Sequence, residues 1–140
     1  MSIIDQNNFD ENYYENISFN KNCWSNTIKP SNITYIFTKQ YIGENNQLGR
    51  QSLEDLISTL PELEIIPKTI IFWCDSVELC SNGSKLTKSL KKLEKLGTRI
   101  LVSSQALLAL NLQNSLQIGR IANNLDFIHA INSSQKTVTF

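Results

Sequence analysis

Residues 68–107 constrain this chain more than any other stretch, because they alternate two kinds of hydrophobic order. Residues 69–73 are a continuous run of β-branched and aromatic side chains, as a strand covered on both faces requires. Leu86, Leu90, Leu93 and Leu96 then recur at helical spacing, and Lys85, Lys88, Lys91, Lys92 and Lys95 take the other faces. Gly97 stands where a left-handed residue closes a helix. Residues 99–102 form another apolar run, followed by a short apolar helix over 106–112. Strand, helix, strand, helix in this order specifies parallel pairing through right-handed crossovers. Sites in such sheets lie beyond the carboxyl ends of the strands. Here those ends carry Trp73, Cys74 and Asp75 on one strand, and Ser103, Ser104 and Gln105 on the next.

The flanking sequence extends the same alternation. A first buried strand is expected over 32–38, then a loop marked by Gly43, Asn45 and Asn46. Leu53, Leu56, Ile57 and Leu60 make one stripe of a helix that begins near Gln47 and ends at Pro61. After residue 112 come a short extended piece within 115–121, a helix over 123–130 and an alternating strand over 136–140. The reading is a three-layer α/β domain over 32–140, with about five mostly parallel strands and helices on both faces. Residues 1–31 read differently. They are rich in Asn and acids, with Phe9, Tyr13, Tyr14, Phe19 and Trp24 scattered without period. We expect an extended polar arm that packs on the domain or on a neighbouring subunit.

Composition excludes more than it selects. Thirteen basic residues balance thirteen acidic ones, so no overall field favours nucleic acid or an anionic membrane. No apolar run approaches the ~20 residues of a membrane-spanning helix, and the first ten residues lack the basic and apolar regions of a secretory signal. Three cysteines, Cys23, Cys74 and Cys80, are too few and odd in number for a disulfide framework. A reducing cytoplasm is the expected compartment. The lysine-bearing helix lacks the interleaved aromatics and arginines of a nucleic-acid surface and reads as a solvated face. Neither a Gly-rich dinucleotide fingerprint nor a phosphate loop is present, and no cofactor or metal is expected.

Each candidate site residue also has an ordinary structural role. Ser103 and Ser104 lie where a strand meets a helix start, so either can cap that helix or help bind an anion. The single histidine, His129, falls late in a helix, which argues against a serine hydrolase. Cys74 ends one strand beside the next and is the sharper chemical candidate. Cys80, six residues on, makes a dithiol conceivable, without the spacing of a zinc site. Asn123 and Asn124, with Asp126 close behind, read as a helix cap on the same rim, and Asp75 and Gln105 complete the polar set.

Five short motifs fall in a recognisable order. They are Gln47, Leu48, Gly49 and Arg50 opening the first helix; residues 71–79 running out of the second strand; Asn82, Gly83 and Ser84 opening the second helix; the Leu90–Gly97 helix core; and residues 118–124. In this order the chain resembles the DsrE-like domain of the YedF family, sulfurtransferase-like proteins associated with selenium metabolism. The resemblance implies a flavodoxin-like DsrE-type fold, self-association, a sulfur-carrier protein as partner, and a persulfide-bearing cysteine in the loop after the third strand. That loop here reads Ser103, Ser104, Gln105, Ala106, and a serine does not hold a sulfane sulfur near neutral pH. The expectation is therefore a DsrE-like protein without the usual cysteine, acting as a binding or scaffold component. An alternative moves the working thiol to Cys74.

Overall fold

The computed structural model describes residues 29–140; residues 1–28 of the expected arm lie outside the described residues. Five strands form one sheet: β1 (Lys29–Phe37), β2 (Ile65–Phe72), β3 (Arg99–Ser103), β4 (Arg120–Ala122) and β5 (Lys136–Thr139). Their order is β4-β3-β2-β1-β5, and every neighbouring pair is parallel. The helices are α1 (Gln47–Thr59), α2 (Thr87–Lys95), α3 (Ser104–Ala109) and α4 (Asn124–Asn132), with 3-10 segments at Leu60–Glu62 and Cys74–Cys80. The three-layer α/β architecture expected from the alternating pattern is the one observed.

Alternation along the strands divides the apolar residues between two cores. On one face Phe37, Ile70, Phe72, Ile100 and Val102 pack with Leu53 and Ile57 of α1, Leu90 and Leu93 of α2, and Ala106 and Leu107 of α3. On the other, Ile36, Ile71 and Leu101 meet Phe127 and Ala130 of α4. The first three crossovers thus step along the sheet in one direction over one face. The fourth returns over the opposite face to place β5 beside β1. A sheet whose crossovers share one hand must be built this way. Each fully buried Leu, Ile or Phe contributes about 1.5–3 kcal/mol, so the larger core supplies most of the stability.

β1 starts at Lys29, three residues before the expected 32, so Lys29, Pro30 and Ser31 belong to the sheet rather than to the arm, paired with the early part of β2. Three further departures from the sequence reading have a local cause. β2 begins at Ile65 rather than at Thr69. Pro67 argues against a strand there, since it donates no ladder hydrogen bond. It is tolerated because β3 pairs with β2 only from Thr69 onward, leaving Pro67 a single strand neighbour, β1. Its carbonyl instead accepts the buried Thr98 hydroxyl at 2.7 Å. α2 starts at Thr87, five residues after Asn82. The chain from Cys80 to Asn82 is held extended against the loop before β4: Gln117 N–H donates to the Cys80 carbonyl and Asn82 N–H to the Ser115 carbonyl. α3 starts two residues earlier than expected, at Ser104, because Ser103 caps it.

Gly49 shows why the first helix opens as it does. A Cβ there would lie 2.0 Å from the Glu44 carbonyl oxygen and 2.8 Å from that of Ile42. The loop after β1 folds back onto the first turn of α1, with Ile42 N–H donating to the Gly49 carbonyl at 3.0 Å. No side chain fits between them.

Candidate functional site

The carboxyl ends of β2, β3 and β4 lie in a row. Phe72 is the register partner of Val102, and Ser103 of Ala122. Beyond these ends stand Cys74 and Asp75, then Ser104 and Gln105, then Asn123 and Asn124. The sequence-predicted residues are therefore brought to one rim. α3 leaves β3 toward one face and α4 leaves β4 toward the other. Neighbouring strands whose connections diverge in this way define the switch point of a parallel sheet, where a crevice opens. That point lies between Ser103 and Ala122.

The rim's polar groups are mostly engaged by their own backbone. Ser103 is buried, and its Oγ accepts the Ala106 N–H at 3.1 Å. Asn123 and Asp126 close a reciprocal capping box on α4: Asn123 Oδ1 accepts the Asp126 N–H at 2.9 Å, and Asp126 Oδ2 accepts the Asn123 N–H at 3.0 Å. Asn46 caps α1 in one direction only, accepting from the Gly49 N–H at 2.8 Å. Of the two roles open to these residues, capping is the one the geometry displays. Ser104, Gln105, Asp75, Asn123 and Asn124 are solvent-exposed. His129 occupies the last turn of α4 and is exposed, whereas the rim adjoins the first turn. Ser103 and Ser104 thus stand apart from the one imidazole.

Cys74 differs from every other rim residue. It is exposed, and its backbone sits in the left-handed region at φ 56°, uncommon for a side chain other than Gly, Asn or Asp. The turn is held beneath it by Ser76, fully buried, whose Oγ lies 2.6 Å from the Phe37 carbonyl oxygen and 2.7 Å from that of Trp73. With one proton to give, the hydroxyl donates to one of these at a time. Trp73 packs edge-on against Phe127 of α4, ring centroids 4.8 Å apart, tying the end of β2 to the helix that leaves β4. Sequence reasoning had no signal for the left-handed turn or for Ser76, because nothing in a Trp-Cys-Asp-Ser run announces positive φ.

The dithiol idea is corrected. Cys80 is fully buried, and burial, with the Glu94 carboxylate as a lesser cause, pushes its thiol well above the ordinary value of 9.0. A buried neutral thiol is a small apolar side chain, not a partner for redox exchange with an exposed one. Among the described residues no cluster of three or more His, Cys, Asp or Glu is placed to hold a metal ion, and no helix is long and apolar enough to cross a membrane.

A groove of about 570 Å³ lies where α1 begins, beyond the end of β1, lined by Asn45, Asn46, Arg50 and Lys85 among others, and two more lie on the other side of α2. One of about 520 Å³ runs between α2 and the loop leading into β4, lined by Lys91, Glu94, Lys95 and residues 116–119. Another, of about 330 Å³, continues from Glu94 along Arg99 and Leu101 to Arg120. The lysines of α2 are exposed, as a solvated face requires, and the fold sets two of them, Lys91 and Lys95, beside the loop that leads into an edge strand.

No family model and no curated protein matches this sequence. Among solved structures the chain is similar to the crystal structure of ychN protein from E. coli, with a TM-score of 0.59 at 13% identity, over 80% of this chain and 100% of that one. At that identity the likeness speaks for the fold alone. Together with the five parallel strands and the flanking helices, it shows a flavodoxin-like α/β fold of DsrE type.

Proposed function

We propose that this protein is a DsrE-like component of sulfur or selenium metabolism that binds and scaffolds without turning sulfur over. The observation that carries this reading is Ser103. It stands in the loop where the resemblance to the YedF family calls for a persulfide-bearing cysteine, and it is an oxygen, 1% exposed, spent on capping α3. A hydroxyl in that state is neither a sulfur acceptor nor reachable by a donor. The exposed rim residues Asp75, Ser104, Gln105, Asn123 and Asn124 are what a partner such as a sulfur-carrier protein would meet. Leu125 and Ile128, more than half exposed on α4, give the thin face of the sheet an apolar surface suited to self-association. The full chain is incubated with inorganic polysulfide and read by peptide-resolved mass spectrometry. No cysteine should gain a sulfur atom.

A second reading rests on Cys74, the exposed thiol on the same rim, held at the tip of a sharp strand-to-helix turn. Strand-turn-helix elbows of this kind present nucleophiles in other α/β proteins. In that case the Cys74 thiolate would attack the outer sulfur of a donor persulfide. The donor S–S bond would break, the donor thiolate would leave, and the sulfane sulfur would remain on Cys74. Polysulfide would then leave an adduct one sulfur heavier on that peptide, absent from Cys74→Ser. Such an adduct would overturn the scaffold reading.

A further inference from the structure

The described part of the chain carries an excess of positive charge that the chain as a whole does not. Residues 1–28 hold Asp5, Asp10, Glu11 and Glu15 against one base, Lys21, although the complete sequence is neutral. The balancing cations concentrate on one side of the domain. Lys91 and Lys95 line one groove beside α2, and Arg99 and Arg120 line a second at the outer edge of the sheet; the two meet at a single carboxylate, Glu94. All four are exposed. The ion pair on α2 is Lys92 with Glu62 at 3.3 Å; among the described residues none of the four groove cations has a carboxylate within that range.

The groove also offers more than charge. β4 is the edge of the sheet, so its outer backbone groups face no strand among the described residues, and such an edge accepts an added segment. Leu116, half-buried, and Ile118 supply apolar surface beside Lys91 and Lys95. Gly119 brings the loop in close. A Cβ there would lie 2.9 Å from the side chains of both Ile100 and Val102, so the groove floor is formed by backbone pressed onto β3.

We propose that residues 5–15 of this same chain bind in cis to this basic groove between α2 and β4. The segment has the matching chemistry: four acids interleaved with Phe9, Tyr13 and Tyr14, aromatics of the kind that pack on lysine and arginine cations. Length does not limit it. The fourteen residues from Glu15 to Lys29 can span roughly 45 Å at ~3.3 Å each, enough to reach any face of a domain this size. Reach therefore does not choose the site, and charge does. Tethering raises the effective concentration to about the millimolar range, where several weak screened attractions suffice.

Zero-length carbodiimide cross-linking of the full chain, read by peptide mass spectrometry, tests this directly. It joins a lysine amine to a carboxylate in contact with it. The expected links run from Lys91 or Lys95 to Asp10, Glu11 or Glu15, with a yield independent of protein concentration. They should fall several-fold at about 1 M salt, where screening shortens to ~3 Å. The double variant Arg99→Glu with Arg120→Glu keeps both lysines and should lower the yield at least about threefold, while Cys80 stays protected from thiol reagents as a check on folding. Lys68 and Lys136 are exposed and lie on strands adjoining β1, so they control for tethering alone. Links concentrated there, or spread evenly over all lysines, would overturn the proposal. So would a lack of links, or links found only between differently labelled chains, which would make a second copy the occupant.

Discussion

The ends of β2 and β3 are neighbours in the sheet, and they use similar small polar side chains in opposite ways. At the end of β3 a hydroxyl, Ser103, is buried and tied to the Ala106 N–H. At the end of β2 a thiol, Cys74, is exposed and carried in a left-handed conformation. One residue completes a helix start; the other is held up by a buried hydroxyl two residues along, Ser76. Which position can do chemistry is therefore decided by backbone direction more than by residue type. The strand that continues smoothly into a helix folds its polar atom into the cap. The strand that turns sharply leaves its polar atom in solvent.

Removing the two buried hydroxyls is the largest test of this contrast. Ser76→Ala leaves the Phe37 and Trp73 carbonyls without that donor, although the Trp73 N–H still reaches the Phe37 oxygen at 2.9 Å. Ser103→Ala leaves the Ala106 N–H without its cap in a buried setting. Each should cost about 1–3 kcal/mol by denaturant unfolding. Ser76→Ala should also loosen the turn beneath Cys74 and raise its alkylation rate, whereas Ser103→Ala should leave that rate unchanged. Equal rates in both variants would mean that the two strand ends are not independent in the way the contacts imply.

How much of this was legible beforehand depends on the kind of signal. The leucine stripe of α2 and the continuous apolar runs of β2 and β3 reveal buried faces, and burial is what hydrophobic periodicity records. The cap at Asn123 was legible because short polar side chains before an apolar run have few other uses. The early start of β2 was hidden by Pro67, which weakens the strand signal unless one knows that β3 stops short of it. The turn at Cys74 was hidden because a cysteine carries no propensity for positive φ. The basic groove was hidden because Arg99 and Arg120 come to share a groove with Glu94 of α2 only through strand order. Elements are written locally; the rim and the groove are products of strand order.

The two thiols separate further with pH. Cys80 stays protonated in the folded protein well above its ordinary value of 9.0 because burial penalises the thiolate. In the unfolded chain it ionises near that value. Below pH 9 both states hold the proton and the group has no effect on the pH dependence. Above it the unfolded state alone releases the proton, so stability falls as pH rises, by up to about 1.4 kcal/mol per pH unit. The difference between the native chain and Cys80→Ala, followed from pH 8 to pH 10.5 by urea unfolding, isolates this slope from other titrations. A difference that stays flat across that window would mean that Cys80 is reached by water in the folded state.

The smallest effect bears most directly on the comparison. A non-glycine residue in the left-handed region costs about 1 kcal/mol relative to glycine, partly offset by the extra freedom glycine gives the unfolded chain. Cys74→Gly should therefore be neutral or stabilising by up to about 1 kcal/mol, and Cys74→Val should cost about 1 kcal/mol or more, because a β-branched side chain tolerates that region worst. Ser103 behaves in the opposite sense, since any change there removes a bond. If Cys74→Gly destabilises by more than the margin of measurement, the thiol packs against the rim and contributes to folding, and the contrast between the strand ends collapses. If it stabilises, the sulfur sits at its position at a cost to folding, as strained functional positions do. Combined with a polysulfide assay that leaves the native thiol unmodified, that outcome would point to partner contact rather than sulfur transfer as the use of the strained turn.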